Sequence, residues 1–183
     1  MTIVLLILVC VLGAGLFVQF GALVEMYEQL KQVRRYLHLV DTPETLDLGV
    51  TAGQPPSTVG LPAELDAAAN GLVLFLSNKC ESCRTLAANL RGGALPEALW
   101  VVVVPVSGDA ESFVEEFDLR HPRVLVDDGE QIVNRIGLDT TPVLIAVEGG
   151  TLARAQTVPT VRQLYQALPI VDKRTFVPKI PTP

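Results

Sequence analysis

Residues 72–90 read "LVLFLSNKCESCRTLAANL". The opening LVLFLS (72–77) is a short continuous apolar run, the pattern of a strand buried on both faces. A polar turn follows. Cys80 to Leu90 then reads as a helix, with Leu86 and Leu90 one turn apart and Gly92 and Gly93 at its end. Between strand and helix stand two cysteines three positions apart. Such a pair is half a zinc site, a structural staple or a redox couple.

The rest of the chain narrows this choice. The sequence holds three cysteines and two histidines, and the third cysteine, Cys10, lies in an apolar run near the start. A four-ligand zinc site needs two further Cys or His ligands. Only His38 and His121 are available; the first sits before a Pro/Gly-rich stretch and the second before Pro122 at a strand entrance. No metal site is expected. A redox couple fits better. A cysteine at a helix N-terminus meets unpaired backbone N–H groups and the positive end of the helix dipole, which favour its thiolate. Cys83 lies one turn further in, on the same face, so that the two sulfurs can close a small ring. Cys80 is therefore the expected attacking thiol and Cys83 the resolving one. No cofactor is called for.

The neighbours of the pair bear on its redox poise. Lys79 supports a thiolate at Cys80 and Glu81 opposes it, which points to a weaker oxidant than a pair with a basic or histidine spacer. Glu81 is equally read as a stabiliser of the first helical turn. Ser82 completes the spacer as a small polar residue.

Outward from this unit the alternation continues. LWVVVVPV (99–106) is a second buried strand, and Asp109 caps an expected helix over 110–119 with Phe113 and Phe117 facing the core. RVLVDD (123–128) is a third strand, and 129–137 a short helix ended by Gly137. VLIAVE (143–148), Gly149–Gly150 and TLARAQTV (151–158) form a β-hairpin. Thr160 caps a last helix over 160–168. Strand–helix alternation followed by a hairpin and a helix predicts an α/β sandwich with a mixed sheet. Thr141–Pro142 stands directly before the first hairpin strand, where a proline cannot donate to a ladder. Either a cis bond makes a tight turn there, or Pro142 is a trans residue of an edge strand. In a sandwich of this order that loop comes beside the cysteine helix, where the Thr141 backbone would pair with an extended peptide.

The chain of 183 residues carries a net charge of −6 and no basic patch, which argues against nucleic acid as a partner. Ile3 to Val24 holds no charged residue, and at helical rise spans roughly 33 Å, enough for a bilayer core. Residues 1–24 are thus an expected transmembrane anchor. No basic n-region precedes them, as a cleaved signal peptide would require. Residues 25–40 read as an amphipathic helical stalk, 41–62 as a Pro/Gly linker, 63–172 as the α/β domain and 173–183 as an extended tail.

The strand–CESC–helix order, the later TTP, and the terminal hairpin and helix resemble the thioredoxin fold. The αβ unit ahead of Pro142 is similar to the TlpA and peroxiredoxin-like branch. With the anchor, the stalk and LVLFLSNKCESC, the sequence most resembles MauD-type proteins. The resemblance covers about residues 60–170. It implies that Cys80 is the nucleophile, that Cys83 resolves and that Pro142 is cis. It also implies disulfide exchange with exported client proteins, and a membrane protein that carries electrons to the couple. Two family features differ here: Lys79 replaces the tryptophan often found before the first cysteine, and Leu74 stands where thioredoxins proper carry a buried aspartate.

Sidedness divides the signals. Lys31, Arg34 and Arg35 follow the anchor and nothing basic precedes it, which by the positive-inside rule places the domain in the cytoplasm. The resemblance implies the extracytoplasmic side, and that is the expectation adopted. The leading functional expectation is a membrane-anchored thiol–disulfide oxidoreductase. The alternative is a non-catalytic interaction subunit of a membrane complex that uses the fold as a scaffold.

Overall fold

The computed structural model describes residues 43–91, 95–106 and 110–169, together with Gln19. Apart from Gln19, the expected anchor, stalk and tail lie outside the described residues, as do Cys10, His38, Gly92, Gly93 and Asp109. Among the described residues no helix is long and apolar enough to cross a membrane.

Six strands form one sheet: β1 (Thr45–Leu46), β2 (Asn70–Ser77), β3 (Leu99–Val104), β4 (Val124–Val126), β5 (Val143–Glu148) and β6 (Thr151–Thr157). Their spatial order is β1-β6-β5-β2-β3-β4. The pairs β2–β3 and β3–β4 are parallel, while β5 runs antiparallel to both β2 and β6. Among the described residues of 43–169, four helices accompany them: α1 (Glu81–Leu90), α2 (Ala110–Glu116), α3 (Gln131–Ile136) and α4 (Val161–Ala167). This is the mixed sheet expected from the alternation; several helix and strand ends lie one to three residues inside the expected ones, while β2 starts two residues earlier than expected.

The continuous apolar runs are explained by the two covered faces. Along β2, Leu72, Leu74 and Leu76 join Leu86, Ala87 and Leu90 of α1, Phe113 of α2 and Leu164 of α4 in one cluster. Val73 and Phe75 point the other way, with Val102, Val143, Ile145 and Val147. Successive strand residues face opposite sides, so both sets of side chains must be apolar.

The second face is covered by two different pieces. One is α3, through Ile132, Val133 and Ile136; the other is the stretch before β2. The expected linker 41–62 is corrected here: from Pro43 on, it belongs to the same compact unit as the sheet. β1 pairs with β6, and three single 3₁₀ turns follow at Gly49–Thr51, Pro56–Val59 and Ala63–Ala67. They bury Leu48, Val59, Leu61 and Leu65 against the sheet. Prolines and glycines here shape tight turns, and the apolar residues between them supply the packing.

The β5–β6 hairpin turns on Gly149 and Gly150, both at positive φ (56° and 76°), as a two-residue hairpin loop prefers. Gly150 is required for a second reason. A Cβ on it would come within 2.0 Å of the Asp66 carbonyl oxygen, so the turn at 63–67 rests directly on the hairpin.

Candidate active site

The parallel ladder between β2 and β3 ends at Ser77 opposite Val104. The chain then turns through Asn78 and Lys79 to Cys80, the N-cap of α1, whose backbone is extended (φ −94°, ψ 121°). The turn is held by its own groups. The Ser77 hydroxyl accepts from the Lys79 amide at 3.3 Å, and the Ser77 carbonyl accepts from the Cys80 amide at 3.4 Å. On the β3 side, Asn78 Oδ1 accepts from the Val106 amide at 3.2 Å.

The cysteine sulfurs occupy unlike places. Cys80 is half-buried, and its Sγ accepts the Cys83 backbone N–H at 3.2 Å. This is a helix cap made by sulfur. The Cys80 thiol also faces the Thr141 carbonyl oxygen, to which it donates at 3.5 Å. Cys83 is fully buried in the cluster formed with Leu74, Leu76 and Leu86. Both cysteines are free thiols.

These surroundings set the two acidities apart. The Cys80 thiol is lowered from 9.0 to about 6, chiefly by a hydrogen bond from the Cys83 thiol. Partial burial opposes that change, while the Cys83 and Ser82 amides and the Thr141 side chain assist it. The Cys83 thiol is pushed far above the ordinary range, first by burial and then by its hydrogen bond to Cys80. At neutral pH the pair therefore holds one thiolate and one thiol, the outer sulfur carrying the charge.

The Thr141–Pro142 bond is cis, the first of the two readings the sequence left open. The Pro142 carbonyl accepts from the Val158 amide at 3.0 Å, which fixes the loop to the chain leaving β6. Because β5 is the other neighbour of β2, the loop lies beside Cys80 on the flank opposite Asn78 and Val106. Thus Cys80, Cys83, Thr141 and Pro142, singled out separately in the sequence, come together at one end of the sheet. Lys79 and Glu81 flank the couple with exposed side chains, where water screens their charges. Ser82 contributes through its amide.

Leu74 is fully buried on the Cys83 side of β2, so the position holds no carboxylate. Asp127 is a buried carboxylate among the described residues, but both its oxygens accept amides of α3. Among the described residues no cluster of three or more His, Cys, Asp or Glu side chains is disposed to hold a metal. A cavity of about 530 Å³ lies at the opposite end of the sheet, lined by Asn70, Glu148, Arg154 and Ala167, away from the thiols. Sequence reasoning passed over Ser77 and Asn78. Their one signal is that both are short polar side chains in the turn leaving a buried strand.

The site is therefore a dithiol at the first turn of a helix, faced by a cis-proline loop, on a thioredoxin-like sheet. No family model matches the sequence, and no curated protein matches it. Solved structures do resemble it. A secreted disulfide oxidoreductase of Mycobacterium tuberculosis is 22% identical over 58% of this chain and 82% of its own, with a TM-score of 0.41. StoA of Bacillus subtilis is 18% identical over 52% of this chain and 78% of its own, with a TM-score of 0.40. The thioredoxin domain of a thiol-disulfide oxidoreductase of Bacteroides vulgatus is 16% identical over 74% of this chain and 95% of its own, with a TM-score of 0.42. At such identities and scores these are likenesses only, and the chemistry rests on the residues of this chain.

Proposed function

We propose that the protein is a thiol–disulfide oxidoreductase with Cys80 as nucleophile and Cys83 as resolving thiol. One observation carries the reading: the Cys80 sulfur caps α1 and faces Thr141, while Cys83 is buried one turn behind it. A sulfur so placed is ionised near neutral pH and reachable, and its partner is shielded until needed.

In the reducing direction the Cys80 thiolate attacks one sulfur of a client disulfide. The client S–S bond breaks, and its second sulfur leaves as a thiolate that takes a proton from water. Cys83 releases its proton to solvent and attacks Cys80 Sγ. The mixed disulfide breaks, the remaining client sulfur leaves, and Cys80 and Cys83 are joined. Two electrons have passed to the client. A dithiol on an electron-carrying membrane protein restores the couple by the same exchange run in reverse. Run against an oxidised couple, the steps form a disulfide in the client instead.

The Thr141 backbone, beside the reacting sulfur, pairs with an extended client segment. The apolar run 3–24 anchors the chain in a membrane, and the couple serves exported proteins on the extracytoplasmic side. The test is insulin disulfide reduction by the whole 183-residue chain in detergent, with dithiothreitol as the electron source. The wild type should turn over, Cys80→Ser should not, and Cys83→Ala should accumulate mixed disulfides that retain the client. Equal behaviour of wild type and Cys80→Ser would favour a non-catalytic interaction subunit.

A further inference from the structure

The turn that carries the nucleophile is held from two sides. On the β5 side the contact runs through sulfur, from Cys80 Sγ to the Thr141 carbonyl. On the β3 side it does not: Asn78 Oδ1 takes the Val106 amide at 3.2 Å, beyond the last ladder pair, Ser77–Val104. Asn78 thus supplies from a side chain the acceptor that the departing β2 backbone no longer offers. It acts two residues before Cys80, in the turn closed by the Cys80 amide on the Ser77 carbonyl.

We propose that Asn78 is a positioning residue for Cys80, tying the reactive turn to the end of β3 in both redox states. This rests on the redox reading above. The contact to Thr141 needs the Cys80 S–H proton, so it is lost when that thiol ionises as well as when the Cys80–Cys83 disulfide forms. The Asn78 contact involves no sulfur and survives. The disulfide also ties Cys80 covalently to α1, whereas in the dithiol the turn depends on hydrogen bonds alone. Loss of Asn78 therefore harms the dithiol more than the disulfide and favours oxidation of the couple. It also loosens the geometry by which Cys80 meets the amides of α1, which disfavours its thiolate.

Asn78→Ala and Asn78→Asp in the whole chain test this; the aspartate keeps an acceptor for the Val106 amide. With Asn78→Ala, equilibration against glutathione buffers should favour the disulfide by roughly two- to tenfold more than in wild type, the worth of one hydrogen bond. The pH midpoint of Cys80 alkylation should rise. Thermal unfolding should fall further for the dithiol than for the disulfide. Hydrogen exchange at the Val106 amide should be slow in wild type in both redox states and fast in Asn78→Ala, and Asn78→Asp should again slow it, because the aspartate restores the acceptor. Three results would overturn the assignment: a Val106 amide already fast in wild type, an unmoved glutathione equilibrium, or equal loss of stability in both states. A wild-type couple that does not exchange with glutathione at all would instead remove the redox reading and this inference with it.

Discussion

Two helix starts at the same end of the sheet use an anion for opposite purposes. Before α3, Asp127 is buried, and its carboxylate accepts the Ile132 and Val133 amides at 3.0 Å. Before α1, the Cys80 sulfur accepts the Cys83 amide at 3.2 Å while remaining half-buried. Free N–H groups and the helix dipole stabilise negative charge at both places. At α3 the carboxylate is walled in and consumed in holding the turn after β4. At α1 it sits on a polarisable atom that is reachable and titrates near neutrality. The same backbone feature thus makes a structural cap in one case and a nucleophile in the other. What separates them is the capping atom and its access to solvent.

The largest expected effect lies at α1. Cys80→Ser should remove all disulfide turnover yet leave the protein folded, because a serine oxygen is itself a good cap. Next in size is the contrast between the two thiols. Iodoacetamide should modify Cys80 with a rate that rises through a midpoint near pH 6 and is level above it. Cys83 should stay unmodified over the same range, its ionisation opposed by burial. If the two react in parallel, the division into outer thiolate and inner thiol is wrong. The sign of the linked stability follows from the raised acidity of Cys80 in the folded protein. Its contribution to the dithiol form is present in full above the unfolded thiol value of 9.0 and is lost as pH falls through about 6. Urea titrations of the dithiol at several pH values, with Cys80→Ser as reference, measure it.

Smaller effects should appear at the other caps, on stability alone. Asp127→Ala should cost about 2 kcal/mol in urea unfolding, since it leaves buried amides of α3 without acceptors. It should not move the alkylation midpoint of Cys80; a shift there would mean that the two helix starts are coupled. Thr160→Ala removes the hydroxyl that accepts the Gln163 amide at 3.3 Å before α4 and should cost about 1 kcal/mol.

These three caps were unequally legible in the sequence. Thr160 stood before a clean amphipathic pattern, and the cysteine pair marked its own helix. Asp127 sits four residues ahead of α3, one of two aspartates ending an apolar run, and nothing local says that its side chain turns back to cap. The strands β2, β3 and β5 were readable because burial on both faces leaves unbroken apolar runs. β1 was not, since it has only two residues and its pairing partner, Gln156, lies 111 positions away from Thr45. Nor were the 3₁₀ turns, whose buried residues Leu48, Val59, Leu61 and Leu65 follow no helical or strand period. Of the site, the sulfurs and Pro142 announced themselves. Asn78 did not, because its role depends on where β3 ends.

The three turns that precede β2 have a practical consequence for anyone who wishes to excise the redox unit. A cut at residue 60 or 63, where composition invites it, would strip β6 of the strand at its edge and remove Leu48 and Val59 from the apolar cluster on that face. An excised protein should begin before Pro43, so that the sheet keeps its own cover.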